Sequence, residues 1–201
     1  SLDTLNRSIS DGQFLPLPAT REEVNTIAEL LPVGSRKKVL LDSIALKSAL
    51  LAELNNNSYQ YLHIATHGLA NMAEARRSAL ACYTDEATQD ALLFLDEIQL
   101  ANVNADLVVL SSCDSGLGQL VKGEGMLALN RAFLFAGARN VVSSLWKVSD
   151  TKTKIFMVYF YQALQNGVSY STALRSAKLR MLENAATSLP RFWSAFMLIG
   201  E

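Results

Sequence analysis

Residues 107–116 read Leu-Val-Val-Leu-Ser-Ser-Cys-Asp-Ser-Gly. Four apolar residues run directly into small polar ones, a cysteine, an acid and a glycine. The apolar run does not alternate with polar residues, so it predicts a strand over 106–111 that is covered on both faces. Ser112 onward then reads as the exit loop of that strand. A cysteine in that place is either packing at the top of a core or a nucleophile at the mouth of a site.

Other segments repeat the pattern. Tyr59–Thr66 is aromatic and β-branched and predicts a strand that ends in His67-Gly68. Shorter strands are predicted at Lys38–Leu41, Ala79–Tyr83, Leu92–Phe94 and Asn140–Leu145, and a last one at Phe192–Ile199. Helical spacing separates them. Thr20 with Glu23 reads as a capping box opening a helix that Pro32 and Gly34 stop. Ser43 or Asp42 is expected to cap a helix to about Asn55. Met126–Ala136 forms another helix, ended by Gly137. Two more follow Ser149 or Asp150, and Ser169. Strands alternating with helices predict an α/β fold with a mostly parallel central sheet and helices on both faces.

The chain has 201 residues, half of them apolar and 18% charged, which suits one domain with a sizeable core. Residues 1–15 read as an irregular N-terminal lead. The net charge of −1 gives no electrostatic reason for nucleic-acid binding. Cys82 and Cys113 form neither a disulfide framework nor a CxxC pair, and free thiols suit the cytoplasm. No apolar stretch reaches the ~18 residues that span a bilayer, so no membrane contact is expected.

His63 and His67 are the chain's two histidines. On a helix, HxxxH would place them to share zinc. On a strand, four residues span roughly 13 Å at about 3.3 Å each, too far for one ion. No metal and no cofactor are therefore expected. His63, inside the strand, reads as a packed sheet residue. His67 sits at the strand end, and Cys113 holds the equivalent place on another strand. In a parallel sheet both fall on the carboxyl-end edge, where open α/β sheets put their sites. A histidine about 50 residues before a cysteine is also the spacing of caspase-like proteases. His67 is then the candidate general acid/base and Cys113 the candidate nucleophile. The backbone N–H groups of Gly68 and Cys113 are the candidate oxyanion donors. Other cysteine chemistries fail: position 119 is Gln where a phosphatase loop needs Arg, and no histidine follows Cys113 as a hydrolase elbow requires. Asp114, if it faces the thiol, disfavours the thiolate. Cys82 reads as a small buried hydrophobe.

The blocks His63-Ile64-Ala65-Thr66-His67-Gly68, Leu110–Gly118, Gly123-Glu124-Gly125-Met126, Ala132-Phe133-Leu134, Ser144–Asp150 and Phe192–Gly200 resemble, in order, the CHAT domain (caspase HetF associated with tetratricopeptide repeats). The resemblance covers about Pro16 to Glu201. It implies a caspase-like three-layer sandwich and kinship with separase and other clan CD cysteine peptidases. It also implies a His67–Cys113 dyad cutting a specific protein substrate, with Gly68 in the oxyanion hole. Asp150 resembles the acid that lines a pocket for a basic side chain before the cut; otherwise it caps the helix that follows. Trp146 is a candidate wall of the same groove. Glu124 reads as a structural loop acid. Family members are often fused to repeat domains or switched on by a partner, so a regulatory partner or fused repeat domain is expected. The alternative is a catalytically quiet interaction module. The family usually opens with an apolar strand, and Ser1–Gly12 contains no such run.

Overall fold

A computed structural model describes residues 17–71, 74–83, 90–111, 113–114 and 124–200, with the backbone alone at 113–114 and 124–125. The main sheet has four strands: β1 (Ser58–Ile64), β5 (Asn104–Leu110), β7 (Asn140–Ser144) and β8 (Phe196–Gly200), in the order β1-β5-β7-β8. The β1–β5 and β5–β7 pairs are parallel, and β8 returns antiparallel along β7. Helices α1 (Pro18–Leu30), α5 (Asp150–Leu164) and α6 (Tyr170–Leu182) cover one face. Helices α2 (Lys47–Asn56), α3 (Leu95–Leu100) and α4 (Glu124–Phe135) cover the other. The result is a three-layer α/β sandwich with a mostly parallel sheet, the architecture of the caspase-like fold.

The apolar run of β5 divides between the layers. Leu107 and Val109 join the core beneath α5 and α6, while Val108 and Leu110 join the core beneath α3 and α4. All four are fully buried. Alternate residues of a strand point to opposite faces, so a run with no polar member fits only a sheet covered on both sides. Gly137 turns α4 back toward the sheet at φ 116°. A Cβ there would sit 2.5 Å from the carbonyl oxygen of Val103, so this close approach admits only glycine.

A second, smaller sheet carries the short strands β4 (Leu92–Phe94), β3 (Ala79–Ala81), β2 (His67–Leu69) and β6 (Cys113–Asp114), in that order. β2 and β6 are parallel, and the other neighbours are antiparallel.

Several expected boundaries move. α1 starts at Pro18, so Thr20 lies inside its first turn and does not cap it. Proline is well placed there, because the first helical N–H needs no partner within the helix. Asp42 and Ser43 belong to a 3-10 turn at Asp42–Ile44, and α2 begins later, at Lys47, without a side-chain cap. Lys38–Leu41 is not a strand, because it joins no ladder among the described residues. The last strand begins at Phe196, after a 3-10 turn at Pro190–Phe192. The expected irregular lead at 1–15 lies outside the described residues, and so does the glycine-rich loop expected at Gly116–Gly125 as far as Gly123; its last two residues, Glu124 and Gly125, instead open α4.

Candidate active site

The strand expected over Tyr59–Thr66 is two strands. β1 ends at Ile64, Ala65-Thr66 interrupt it, and β2 starts with His67. The Thr66 hydroxyl donates to the Ala81 carbonyl at 2.7 Å, tying this break to the end of β3, which pairs with β2. The cysteine strand divides in the same way. β5 ends at Leu110, and β6 starts with Cys113. A backbone bond from Ser111 N–H to the Ile64 carbonyl, 2.9 Å, joins the two breaks.

The register survives these breaks unchanged. In the main sheet Ser58 faces Asn104 and Ile64 faces Leu110. In the small sheet His67 faces Cys113 and Gly68 faces Asp114. Every pair differs by 46 in sequence (104 − 58, 110 − 64, 113 − 67). His67 and Cys113 are thus directly paired positions on adjacent parallel strands, which lie about 4.8 Å apart. Cys113 and Asp114 are consecutive in a strand and so occupy opposite faces of the β2–β6 pair. Gly68 is buried and lies in a ladder on both sides, against Leu80 and Asp114.

His63 has a different setting. Its Nε2 lies 2.9 Å from Oε1 of Glu23, and its Nδ1 lies 3.2 Å from the Tyr161 hydroxyl. Glu23 is only 1% exposed, and Tyr161 is fully buried. Burial pushes the Tyr161 phenol well above its ordinary range, so it keeps its proton to donate. With Tyr161 donating to Nδ1, the Nε2–H donates to the Glu23 carboxylate, and both ring nitrogens are satisfied. Glu23 is thus a buried partner of His63 rather than half of a capping box. Glu23 stands one helical turn before the buried Ile27, and that shared face was the available signal for an inward-facing position.

Asp150 is the first residue of α5, whose N-cap is Ser149. Its carboxylate turns to a different helix. Oδ2 accepts the backbone N–H of Ala19 at 2.8 Å, and Oδ1 accepts the Thr20 hydroxyl at 3.4 Å. Asp150 therefore caps α1 from 131 positions away. Trp146 is 40% exposed, and its indole N–H donates to the Arg191 carbonyl at 3.1 Å. Glu124 opens α4.

Cys82 follows β3 and is half-buried. Burial pushes its thiol up to about 11, with Lys47 acting weakly in the other direction. That matches the inert, packed role expected for it. No group of three or more His, Cys, Asp or Glu residues placed to hold a metal occurs among the described residues. No helix among them is long and apolar enough to cross a membrane.

The family model described as "CHAT domain" matches residues 3–201. Human Tetratricopeptide repeat protein 28 is 31% identical over 218 aligned positions, covering 92% of this chain and 8% of that protein. The mouse protein of the same name is 30% identical, covering 92% of this chain and 9% of its own length. The chain thus spans less than a tenth of the curated relatives it matches. By the match along nearly its whole length, the chain belongs to the CHAT domain family, which is caspase-like.

Proposed function

We propose that the protein is a cysteine endopeptidase with His67 and Cys113 as its dyad. The observation that carries this reading is the unbroken 46-residue register, which makes the two residues paired neighbours across β2 and β6. The Cys113 thiol attacks the carbonyl carbon of a peptide bond while its proton passes to His67. The oxyanion is assigned to the backbone N–H groups of Cys113 and Gly68. His67 then gives the proton to the leaving amine, and a thioester remains on Cys113. Water attacks the thioester, with His67 again taking the proton, and restores the thiol. Asp114, on the opposite face of the strand pair, is not assigned a part in this transfer.

The substrate is a protein, with Trp146 and Asp150 as groove candidates. Asp150 binds a basic side chain in competition with its cap on α1. The tetratricopeptide repeats named in the human relative support regulation by a fused repeat domain or a partner.

The test is mass spectrometry of a peptide library digested by the full chain, with and without its native flanking regions, beside Cys113→Ala. The expected result is cleavage that Cys113→Ala abolishes. Cleavage unchanged in Cys113→Ala sinks the dyad. Cleavage by neither protein in either context favours a quiet interaction module.

A further inference from the structure

Three cations that the proposed mechanism does not use stand on segments that meet at the carboxyl edge of the main sheet. Lys147 follows Trp146 beyond the end of β7, Lys152 lies in the first turn of α5, and Arg191 lies in the 3-10 turn before β8. Leu110 and Ser143 are paired across β5 and β7, and Cys113 and Trp146 each stand three residues beyond that pair. The cations therefore border the strand end next to the one that leads to Cys113. The Trp146 indole N–H donates to the Arg191 carbonyl at 3.1 Å, and the Leu145 N–H donates to the Ala195 carbonyl at 3.0 Å, so these segments are held side by side.

Two of the cations share one ring. The Lys152 ammonium lies 5.6 Å from the centroid of Phe192, and the Arg191 guanidinium lies 4.7 Å from it. An aromatic face holds a cation without cancelling its charge. The two charges are at most about 10 Å apart, comparable with the Debye length in physiological salt, so they repel. Among the described residues no carboxylate pairs with Lys147, Lys152 or Arg191. The acids beside the first turn of α5 are engaged elsewhere: Asp150 turns its carboxylate to Ala19 and Thr20, and Glu22 pairs with Lys154. Lys147 and Arg191 are exposed, as is part of Trp146. The patch is open to solvent, and uncompensated charge over an aromatic floor favours an anion.

We propose that Lys152 and Arg191, with Lys147 beside them, bind an acidic side chain of the protein substrate. This specificity site rests on the peptidase reading above. A carboxylate set between the ammonium and the guanidinium gains from both and offsets their repulsion. The planar guanidinium offers a fork to both carboxylate oxygens, while the lysine supplies a point charge. Trp146 and Phe192 offer apolar surface to the aliphatic part of the incoming side chain. The site is opposite in sign to the one assigned to Asp150, whose carboxylate faces α1. The chain's net charge of −1 gives no broad positive field, so this small cluster suits one short acidic feature of a protein rather than a nucleic acid.

The test digests a peptide library with the full chain and its native flanking regions, reads the cuts by mass spectrometry, and repeats this with Lys152→Glu and Arg191→Glu combined. The expected result is Asp or Glu enriched about tenfold at one fixed position from the cut, the scale of a hydrogen bond between charged groups. In the double variant Lys or Arg takes that position, while Arg191→Lys alone keeps the acidic preference. Should the double variant not fold, Lys152→Gln and Arg191→Gln are read singly, each expected to lower the enrichment at least threefold. Cuts without an acidic preference, or with one that these variants leave unmoved, overturn the subsite and leave the peptidase reading standing. No cut from any protein overturns the peptidase reading, and anisotropy of labelled acetyl-Gly-Asp-Glu-Asp-Gly-amide then decides the acidic site. Binding that the variants lose supports it, and no binding overturns it. Displacement of that peptide by duplex DNA as readily as by unlabelled peptide also overturns it, since the patch then takes any polyanion.

Discussion

His63 and His67 stand four residues apart, yet the fold gives them different settings. His63 lies in the main sheet with both ring nitrogens engaged, one by a buried carboxylate and one by a buried phenol. His67 opens a strand of the small sheet and is paired in register with Cys113. The difference arises at Ala65-Thr66, where the chain leaves one sheet for the other. A histidine held from two helices has little freedom to pass protons, and in the proposed mechanism that task falls to His67.

The comparison breaks most visibly in catalysis. His67→Ala is expected to lower cleavage by about 10²–10⁴-fold, the range for removing a general acid/base, with little change in Tm. A His67→Ala enzyme that cuts normally would remove the functional half of the contrast. His63→Ala is expected to act on stability instead. It strands Glu23, a buried carboxylate, and costs about 3 kcal/mol in urea unfolding. His63→Ala together with Glu23→Gln should recover part of that loss, because the stranded charge is gone. No recovery would show that packing, not charge, holds the cluster.

Asp150 gives a smaller effect and sharpens the pocket question. Asp150→Ala removes the acceptor for Ala19 N–H and should cost about 1 kcal/mol, as lost helix caps do. Asp150→Asn keeps an acceptor and should retain most of that stability. If Asp150 also lines the substrate pocket, Asp150→Asn weakens substrates with Arg or Lys before the cut more than others. Uniform rates across substrates leave it as a cap alone.

The smallest signal is at the other cysteine. The Cys82 thiol is pushed up to about 11, above the usual thiol value, so the folded state favours the protonated form. Its contribution to stability is complete below the unfolded thiol value and is lost as pH rises toward 11. Iodoacetamide should label Cys82 slowly at pH 8, with a rate that climbs to a midpoint near 11. Labelling as fast as in the urea-unfolded chain would show the thiol to be unshielded.

Much of this was legible in the sequence, and the reasons are local. Leu107–Leu110 carries no polar residue, and such a run fits a doubly covered parallel strand and little else. The 46-residue spacing of His67 and Cys113 is a property of the chain itself. Parallel pairing turns it into proximity. The break after Ile64 was not legible, because Ala-Thr continues the strand's composition, and the Thr66–Ala81 bond found there joins residues 15 positions apart. Lys38–Leu41 misled for a related reason. Strand composition describes a side-chain pattern, while a strand also needs a backbone partner. Glu23 and Asp150 engage partners 40 and 131 positions distant, and no local pattern signals such contacts. The roles carried by residues 115–123 fall outside the described structure.

The matched breaks bear on which insertions and deletions the chain can absorb. Between Ile64 and His67, and between Leu110 and Cys113, the same number of residues intervenes. Lengthening one break by a single residue slides β2 past β6 by about 3.3 Å and turns its side chains to the other face. Lengthening both together leaves the register whole. Segments elsewhere, such as the one between α5 and α6, face no such constraint from this pairing. Among functional relatives, length changes at the two breaks are therefore expected to occur in pairs or not at all.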